Sequence, residues 1–378
     1  MDRGVGKSRH RSTIRLTTIF VGIVLAILLL VSGYRQFVMD SDQGNEFAVR
    51  VVHKNPVNDY LTDVKRQQGK QLDAVKARLR KAPSDFRSTG NLTVHFLDVS
   101  HGDAILIVTP AGGAILIDGG YEDQGKYIVD YLRGLGFNYL DYSIASHPHA
   151  DHIGGLDFAL KKMAFVSQAL DSGKGPGVNA SPSDLRTYRS YRRAALDSGH
   201  YTAVREDTHL TTDDNVELDI LVPFEKDSYF PDANDNSLIV RLRYGNVSFL
   251  FTGDCEMACE ESLLRKDIQA DILKVPHHGA ADATNQEFLD AVKPKVAIIS
   301  TGDFGRFGHP HEEVLQRLAT DGIELHRTDL EGNILVTTDG SAYAISAVSR
   351  EEASQWEKDR WHTAEKANVT MMAGNESV

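Results

Sequence analysis

Residues 146–155 read SHPHADHIGG, which sets His147, His149, Asp151 and His152 as four potential metal donors within six positions. On an extended loop alternate side chains point the same way, so His147 and His149 face one point and Asp151 and His152, one step on, face a second. Two cations about 3.5–4 Å apart at such points would stabilise both the entering and the leaving oxygen of a displacement. Pro148 stiffens the loop, and Gly154-Gly155 permits a tight entry into the next helix. The preceding residues, LDYSIASH, read as a strand that ends at His147. In a layered α/β sheet the carboxyl ends of strands are where sites collect.

Working outward, the texture changes at Asn91, where LTVHFLDV, AILIVTP and GAILIDGG form short β-rich runs punctuated by Gly and Pro. Segment 124–136 places Ile128, Tyr131, Leu132 and Leu135 on one helical face and closes at Gly134 or Gly136. Further strands are predicted at 216–222, 237–243, 246–252, 271–275, 295–300, 323–327 and 333–338, and helices at 256–266, 285–292 and 311–321. This alternation describes one α/β domain over residues 91–348, with a charged tail over 349–378 that starts as a surface helix near Arg350. No internal repeat is visible.

The chain has 378 residues, 41% hydrophobic and 25% charged, which excludes both a disordered acidic chain and a multi-span membrane protein. Its net charge of -12 is uneven. Residues 1–15 carry Arg3, Lys7, Arg9, Arg11 and Arg15 against Asp2, so the remaining body is more acidic still, which argues against a broad polyanion-binding surface. Residues 16–34, LTTIFVGIVLAILLLVSGY, hold no charge and reach the minimum length for a bilayer span. The basic residues before them should stay cytoplasmic, so the body is expected outside the cytosol behind a single-pass anchor. The competing reading is a secreted protein whose signal peptide is cut near Ser32 or Gly33. Residues 35–90 then form a polar stalk or linker, with Val64, Leu72, Val75 and Leu79 at helical spacing. Cys255 and Cys259 are the two cysteines; their spacing would stack them on one helical face, and they read as core thiols.

The metal-donor loop, together with the upstream strand end Leu116-Ile117-Asp118-Gly119-Gly120, resembles the metallo-β-lactamase fold, an αββα sandwich. More narrowly, the chain is similar to the ComEC-type competence hydrolase domain. That group pairs FLDVGQGDA-like and LIDGG segments with HPDADHIGG or HPHADHIGG, then NSLVLRL, FLFTGD, LKVPHHG and GHPHPEV. This chain supplies FLDVSHGDA from Phe96, NSLIVRL from Asn236, FLFTGD ending at Asp254, LKVPHHG from Leu273 and GHPHEEV from Gly308, in order over residues 91–347.

The resemblance implies two divalent metal ions, Zn or Mn. His147 and His149 would hold the first, Asp151 and His152 the second, and Asp254 would bridge them. On its own, Gly253-Asp254 after a strand reads as a turn. His278 is assigned to the second metal, with its neighbour His277 as the competing ligand or as a group that orients a phosphate or shuttles a proton. Asp118 would orient a ligating imidazole. His309 is expected near the substrate, beside His311, and Asp151, His277 and His309 are the candidate catalytic residues.

Two departures from the pattern stand out. The first metal lacks the further histidine that most relatives place before the bridging Asp; His200 and His209 fall in that interval without the usual context, and Asn236 or water is expected to complete the shell. Ser100-His101 replaces Gly-Gln, which reads as an exposed loop residue. Between the loop and Asp254, residues 183–198 form a predicted helix with Arg186, Arg189 and Arg193 near one face and Tyr188 and Tyr191 nearby, a strip that could hold a phosphate backbone with rings stacking on bases, or a plain solvated face.

Three functions compete on these grounds. The first is a membrane-anchored, extracytoplasmic phosphodiesterase or nuclease, with single-stranded DNA as a substrate. The second is a hydrolase of carboxylic or cell-wall-linked esters on the same site. The third is a non-catalytic anchored binding module with a vestigial site.

Overall fold

The computed structural model describes residues 35–39, 49–53, 90–177, 180–212, 214–224, 228–302 and 307–355. The chain divides into two units, Met1–Arg78 and Leu79–Val378. In the first, β1 (Arg35–Met39) and β2 (Val49–His53) pair antiparallel, with Phe37 opposite Val51. The sequence places this stretch in a polar stalk or linker, yet the first run holds Phe37 and Val38 and the second Val49, Val51 and Val52, residue types that suit strands. The predicted span at 16–34 and the helical spacing from Val64 to Leu79 lie outside the described residues. Among the described residues no helix is long and apolar enough to cross a membrane.

The second unit is a sandwich of two sheets. Strands β3 (Leu92–Phe96), β4 (Ile105–Val108) and β5 (Ala114–Ile117) form an antiparallel meander, as their Gly- and Pro-bounded runs predict. β6 (Tyr139–Ile144), β7 (Phe165–Asp171) and β8 (Tyr201–Ala203) then continue in parallel through helical crossovers. The second sheet opens with β9 (Thr208–Thr211), β10 (Glu217–Leu221), β11 (Ile239–Tyr244) and β12 (Val247–Phe251), all antiparallel. It closes with parallel β13 (Ile272–Lys274), β14 (Val296–Ile299) and β15 (Glu324–Arg327). β16 (Asn333–Thr338) and β17 (Tyr343–Val348) return the chain to the first sheet beside β3. The first sheet therefore runs β17-β16-β3-β4-β5-β6-β7-β8, and the second β15-β14-β13-β12-β11-β10-β9.

Three apolar layers hold this stack together. Between the sheets, Val94, Phe96 and Ile107 meet Val240, Phe249 and Phe251. Each such fully buried side chain contributes about 1.5–3 kcal/mol relative to an exposed one. On the outer face of the first sheet pack α1 (Gly125–Gly134), α2 (Ala150–Lys162) and α3 (Pro182–Asp197), through Ile128, Leu132, Leu156, Ala159 and Tyr191. The second sheet is covered by α4 (Met257–Leu263), α5 (Gln286–Val292) and α6 (Glu312–Thr320), through Cys259, Leu263, Phe288, Leu289, Val314 and Leu318. The result is the expected αββα order. A short α7 (Thr328–Glu331) joins β15 to β16, and Ala353, in the helical start of the predicted tail, is buried against the first outer layer.

Two corrections concern the core. Cys255 and Cys259 are not free thiols but a disulfide, with Cα atoms 5.3 Å apart. Cys255 lies in the turn before α4 rather than on it, so its side chain is not bound to the helical direction that the spacing argument assumed. Tyr191 is not available for stacking on a base: it is 2% exposed, and its hydroxyl donates to Asp171 Oδ2 at 3.1 Å.

Candidate metal centre

The site lies where strand ends of both sheets meet, and close backbone approach builds it. Gly155 in α2 sits so near the loop after β5 that an added Cβ would lie 1.9 Å from Gly119 O. This contact brings the loop of His147–His152 against Asp118, and Gly119 N donates to His152 O at 2.7 Å. Gly253 holds φ +51 with Ser146 against it, and this turn carries Asp254 inward from β12. His277 and His278 also take left-handed φ of 47° and 55°, an unfavourable conformation for residues with side chains and one found at functional sites.

Four donors converge. His152 Nε2 lies 3.1 Å from Asp254 Oδ2, and His278 Nε2 lies 3.3 Å from Asp254 Oδ1. Asp151 Oδ2 stands 3.9 Å from His152 Nε2 and 3.7 Å from His278 Nε2. Asp151, His152, Asp254 and His278 thus form one group able to hold a cation. His147 Nε2 reaches within 3.7 Å of Asp254 Oδ2, the oxygen that His152 also approaches, and lies 3.0 Å from His149 Nδ1.

The far ends of these rings are already engaged. His152 Nδ1 lies 2.9 Å from Asp118 Oδ2, and His278 Nδ1 donates to the Ser300 carbonyl at 2.8 Å. Asp118 also accepts from Ser146 N at 2.8 Å and Ser146 Oγ at 2.6 Å. By contrast His152 Nε2, His278 Nε2 and Asp254 Oδ1 are buried with no hydrogen-bond partner. Leaving three such atoms unsatisfied is costly, and a cation at their meeting point would satisfy all three. The mixed imidazole and carboxylate set suits Zn or Mn. Electrostatics agree: burial pushes the Asp254 carboxyl up, but His152 and His278 hold it well below the usual range. Burial lowers His278, yet Asp254 and Asp151 raise it to about 9, so without metal these imidazoles carry the compensating positive charge.

His277 is not in the four-donor group. Its Nδ1 lies 3.2 Å from Glu256 Oε1 and 3.1 Å from Asp282 Oδ1, while its Nε2 faces Asp254 at 3.9 Å. Burial pushes Glu256 up to about 7. His309 packs 5.4 Å from the His277 ring, centroid to centroid, and burial lowers it to about 4. His311 is turned away, its Nδ1 accepting from Ala281 N at 3.1 Å.

His101 corrects the expectation of an exposed loop residue. Its ring stacks on Phe307 at 4.6 Å, lies 4.5 Å from the His278 ring, and brings Nε2 to 3.4 Å from Asp151 Oδ2. Ser100 takes the left-handed φ of 62° that the family's Gly would provide, which aims the next side chain into the site. Asn236 is buried with its side-chain amide engaged elsewhere: Oδ1 accepts from Phe230 N at 2.9 Å and Nδ2 donates to Phe230 O at 2.9 Å and to Asp232 O. His200 packs against Phe165 and His209 pairs with Asp219 at 2.7 Å, so neither supplies the missing donor. Arg186, Arg189 and Arg193 are exposed on α3, with Arg193 3.6 Å from Asp197. Sequence reasoning passed over Asp103 and Lys274, although both stand in quoted motifs. They form an ion pair of 2.6 Å at the base of the site.

Beside the donors a cleft of about 1230 Å³ is lined by Tyr121, Glu122, Asp123, Lys126, His149 and Asp184, among others.

Residues 97–303 match the Metallo-beta-lactamase superfamily, and the chain belongs to that superfamily. ComE operon protein 3 of Bacillus subtilis (strain 168) is 30% identical over 260 residues, covering 64% of this chain and 32% of that protein. Competence protein ComA of Neisseria gonorrhoeae is 30% identical over 239 residues, covering 62% of this chain and 30% of that one. The chain therefore spans about a third of the length of these relatives. Among solved structures, Igni18, a metallo hydrolase from Ignicoccus hospitalis, aligns with a TM-score of 0.41 at 13% identity, covering 66% of this chain and 98% of that one. The motif resemblance holds, and the chain is a superfamily hydrolase with ComEC-type homologues.

Proposed function

We propose that this protein hydrolyses phosphodiesters, with single-stranded DNA as a substrate, using His147, His149 and Asp254 for one divalent cation and Asp151, His152, His278 and Asp254 for a second. The observation that carries the reading is the set of orphaned atoms His152 Nε2, His278 Nε2 and Asp254 Oδ1 facing one point. Bound there, the ions would lower the pKa of water and offset charge at phosphorus. The chain's own residues supply the rest. Asp118 and Ser300 fix the ring orientations of His152 and His278. His277, braced at Nδ1 by Glu256 and Asp282, presents Nε2 to the centre as a proton donor for the leaving oxygen, with His309 beside it. Competence proteins among the relatives support DNA as the source of the phosphodiester. The uncharged run at 16–34 behind a basic tail supports a single-pass anchor with the hydrolase outside the cytosol.

A second reading has its own support. Glu122, Asp123 and Asp184 line the cleft against Lys126, and such a wall favours an uncharged ester over a polyanion. Under the phosphodiester reading the strand approaches from the His277 and His309 side instead. The test is hydrolysis of labelled single-stranded DNA and of a neutral carboxylic ester by the full chain reloaded with Mn or Zn, beside Asp151→Ala. Metal-dependent DNA cleavage lost in the variant is expected. Ester cleavage without DNA cleavage would overturn the first reading in favour of the second, and no hydrolysis despite bound metal would leave a binding module.

A further inference from the structure

Lys274 and Asp103 are 0% and 1% exposed, and Nζ lies 2.6 Å from Oδ2. Burying two charges carries a desolvation penalty that their attraction barely offsets, so such a pair is a poor device for stability alone. Its position suggests another use. Asp103 Oδ1 lies 3.6 Å from His278 Nδ1, and Oδ2 lies 4.0 Å from His152 Nδ1. Both distances exceed a hydrogen bond, and both rings instead use other partners: the Ser300 carbonyl at 2.8 Å for His278 and Asp118 at 2.9 Å for His152. Lys274 Nζ also reaches Gly253 O at 3.4 Å, the carbonyl just before Asp254. One ammonium thus ties the loop of Asp103 to the strand ends that present Asp254 and His278.

We propose that Lys274 is a positioning residue that holds the Asp103 carboxylate off His278, so that Nδ1–H keeps donating to the Ser300 carbonyl and Nε2 remains aimed at Asp254. The proposal rests on the metal reading of the site only for its effect on affinity. A buried carboxylate without its cation would capture the nearest imidazole N–H, here His278 Nδ1, and turn Nε2 away from the other donors.

The experiment compares the full chain with Lys274→Met, Asp103→Asn and the double variant. Two readouts are taken: the ¹⁵N and ¹H resonances of His278 Nδ1 in metal-free protein, and the Zn dissociation constant by calorimetry. In Lys274→Met the Nδ1 proton should shift to the low-field position of a carboxylate partner, and Zn affinity should fall about tenfold or more, the usual cost of disturbing a ligand's support. The double variant, with no charge left to capture the ring, should return both readouts close to wild type. Should Lys274→Met fail to fold, Lys274→Gln, which also leaves the Asp103 carboxylate without its cation, is read in its place, with the same shift and the same loss of affinity expected. An unshifted His278 resonance with wild-type affinity in the Lys274 variant would overturn the proposal, as would a low-field shift of that resonance in Asp103→Asn, where no carboxylate is left to capture the ring. If wild type binds no Zn, the metal reading fails, and the His278 resonance still decides for or against positioning by Lys274.

Discussion

His152 stands between two carboxylates, with Nε2 3.1 Å from Asp254 Oδ2 and Nδ1 2.9 Å from Asp118 Oδ2. The first faces the other donors, while the second is locked by Ser146 N and Ser146 Oγ. Asp118 therefore sets which nitrogen of His152 carries the proton and where the ring points. Replacing Asp118 with Asn should leave the fold intact and weaken divalent-metal binding about 10–100-fold. Calorimetric titration with Zn checks this, and an unchanged dissociation constant would remove Asp118 from the account.

The neighbours His277 and His278 separate by outcome. His278→Ala removes a member of the four-donor group, so one metal equivalent should be lost. His277→Asn should keep the metal and lower kcat about 10²–10⁴-fold, as expected for loss of a proton donor. Metal analysis beside steady-state kinetics distinguishes the two, and metal loss in His277→Asn would exchange their roles.

The disulfide between Cys255 and Cys259 predicts that unfolded, unreduced protein shows no reactive thiol. Closing so short a loop contributes about 2 kcal/mol in the chain-entropy account. Cys255→Ala/Cys259→Ala should lower the urea midpoint accordingly, and two thiols titrating in the wild type would contradict the pairing.

A pH dependence independent of the metal centre comes from β3. Burial holds the His95 imidazole down at about 4, where Nδ1 faces the Tyr131 hydroxyl at 2.8 Å. Between that value and the ordinary one of about 6.5, the unfolded chain binds a proton that the folded chain refuses. This contribution is thus complete above pH of about 6.5 and is lost as pH falls toward 4, by up to about 3 kcal/mol. Urea midpoints of metal-free wild type and His95→Gln at about pH 7.5 and 5 should show the smaller loss in the variant. Equal losses would remove His95 as the cause.

Much of this arrangement was legible in the sequence, for physical reasons that vary by residue. The donor loop was readable because His147, His149, Asp151 and His152 are local, and strands such as β12 and β14 because they are short apolar runs between turn residues. β17 was missed because its exposure alternates weakly and it sits at an edge. His101, Glu256 and Asp282 were missed because they serve the site only through contacts across loops, as with the 3.2 Å between Glu256 and His277. The one local signal for His101 was Ser100-His101 in place of Gly-Gln. The basic face of α3 was correctly placed on a helix, but helical spacing could not tell that Tyr191 points inward.

The most direct test of the central claim is the metal content and dissociation constant of the full chain, stripped and titrated with Zn, beside Asp254→Asn. Because Asp254 is the carboxylate that His147, His152 and His278 all approach, the account predicts binding in wild type and loss of affinity at both sites in the variant. A wild type that takes up no divalent metal, or an Asp254→Asn variant that binds as tightly, would contradict it.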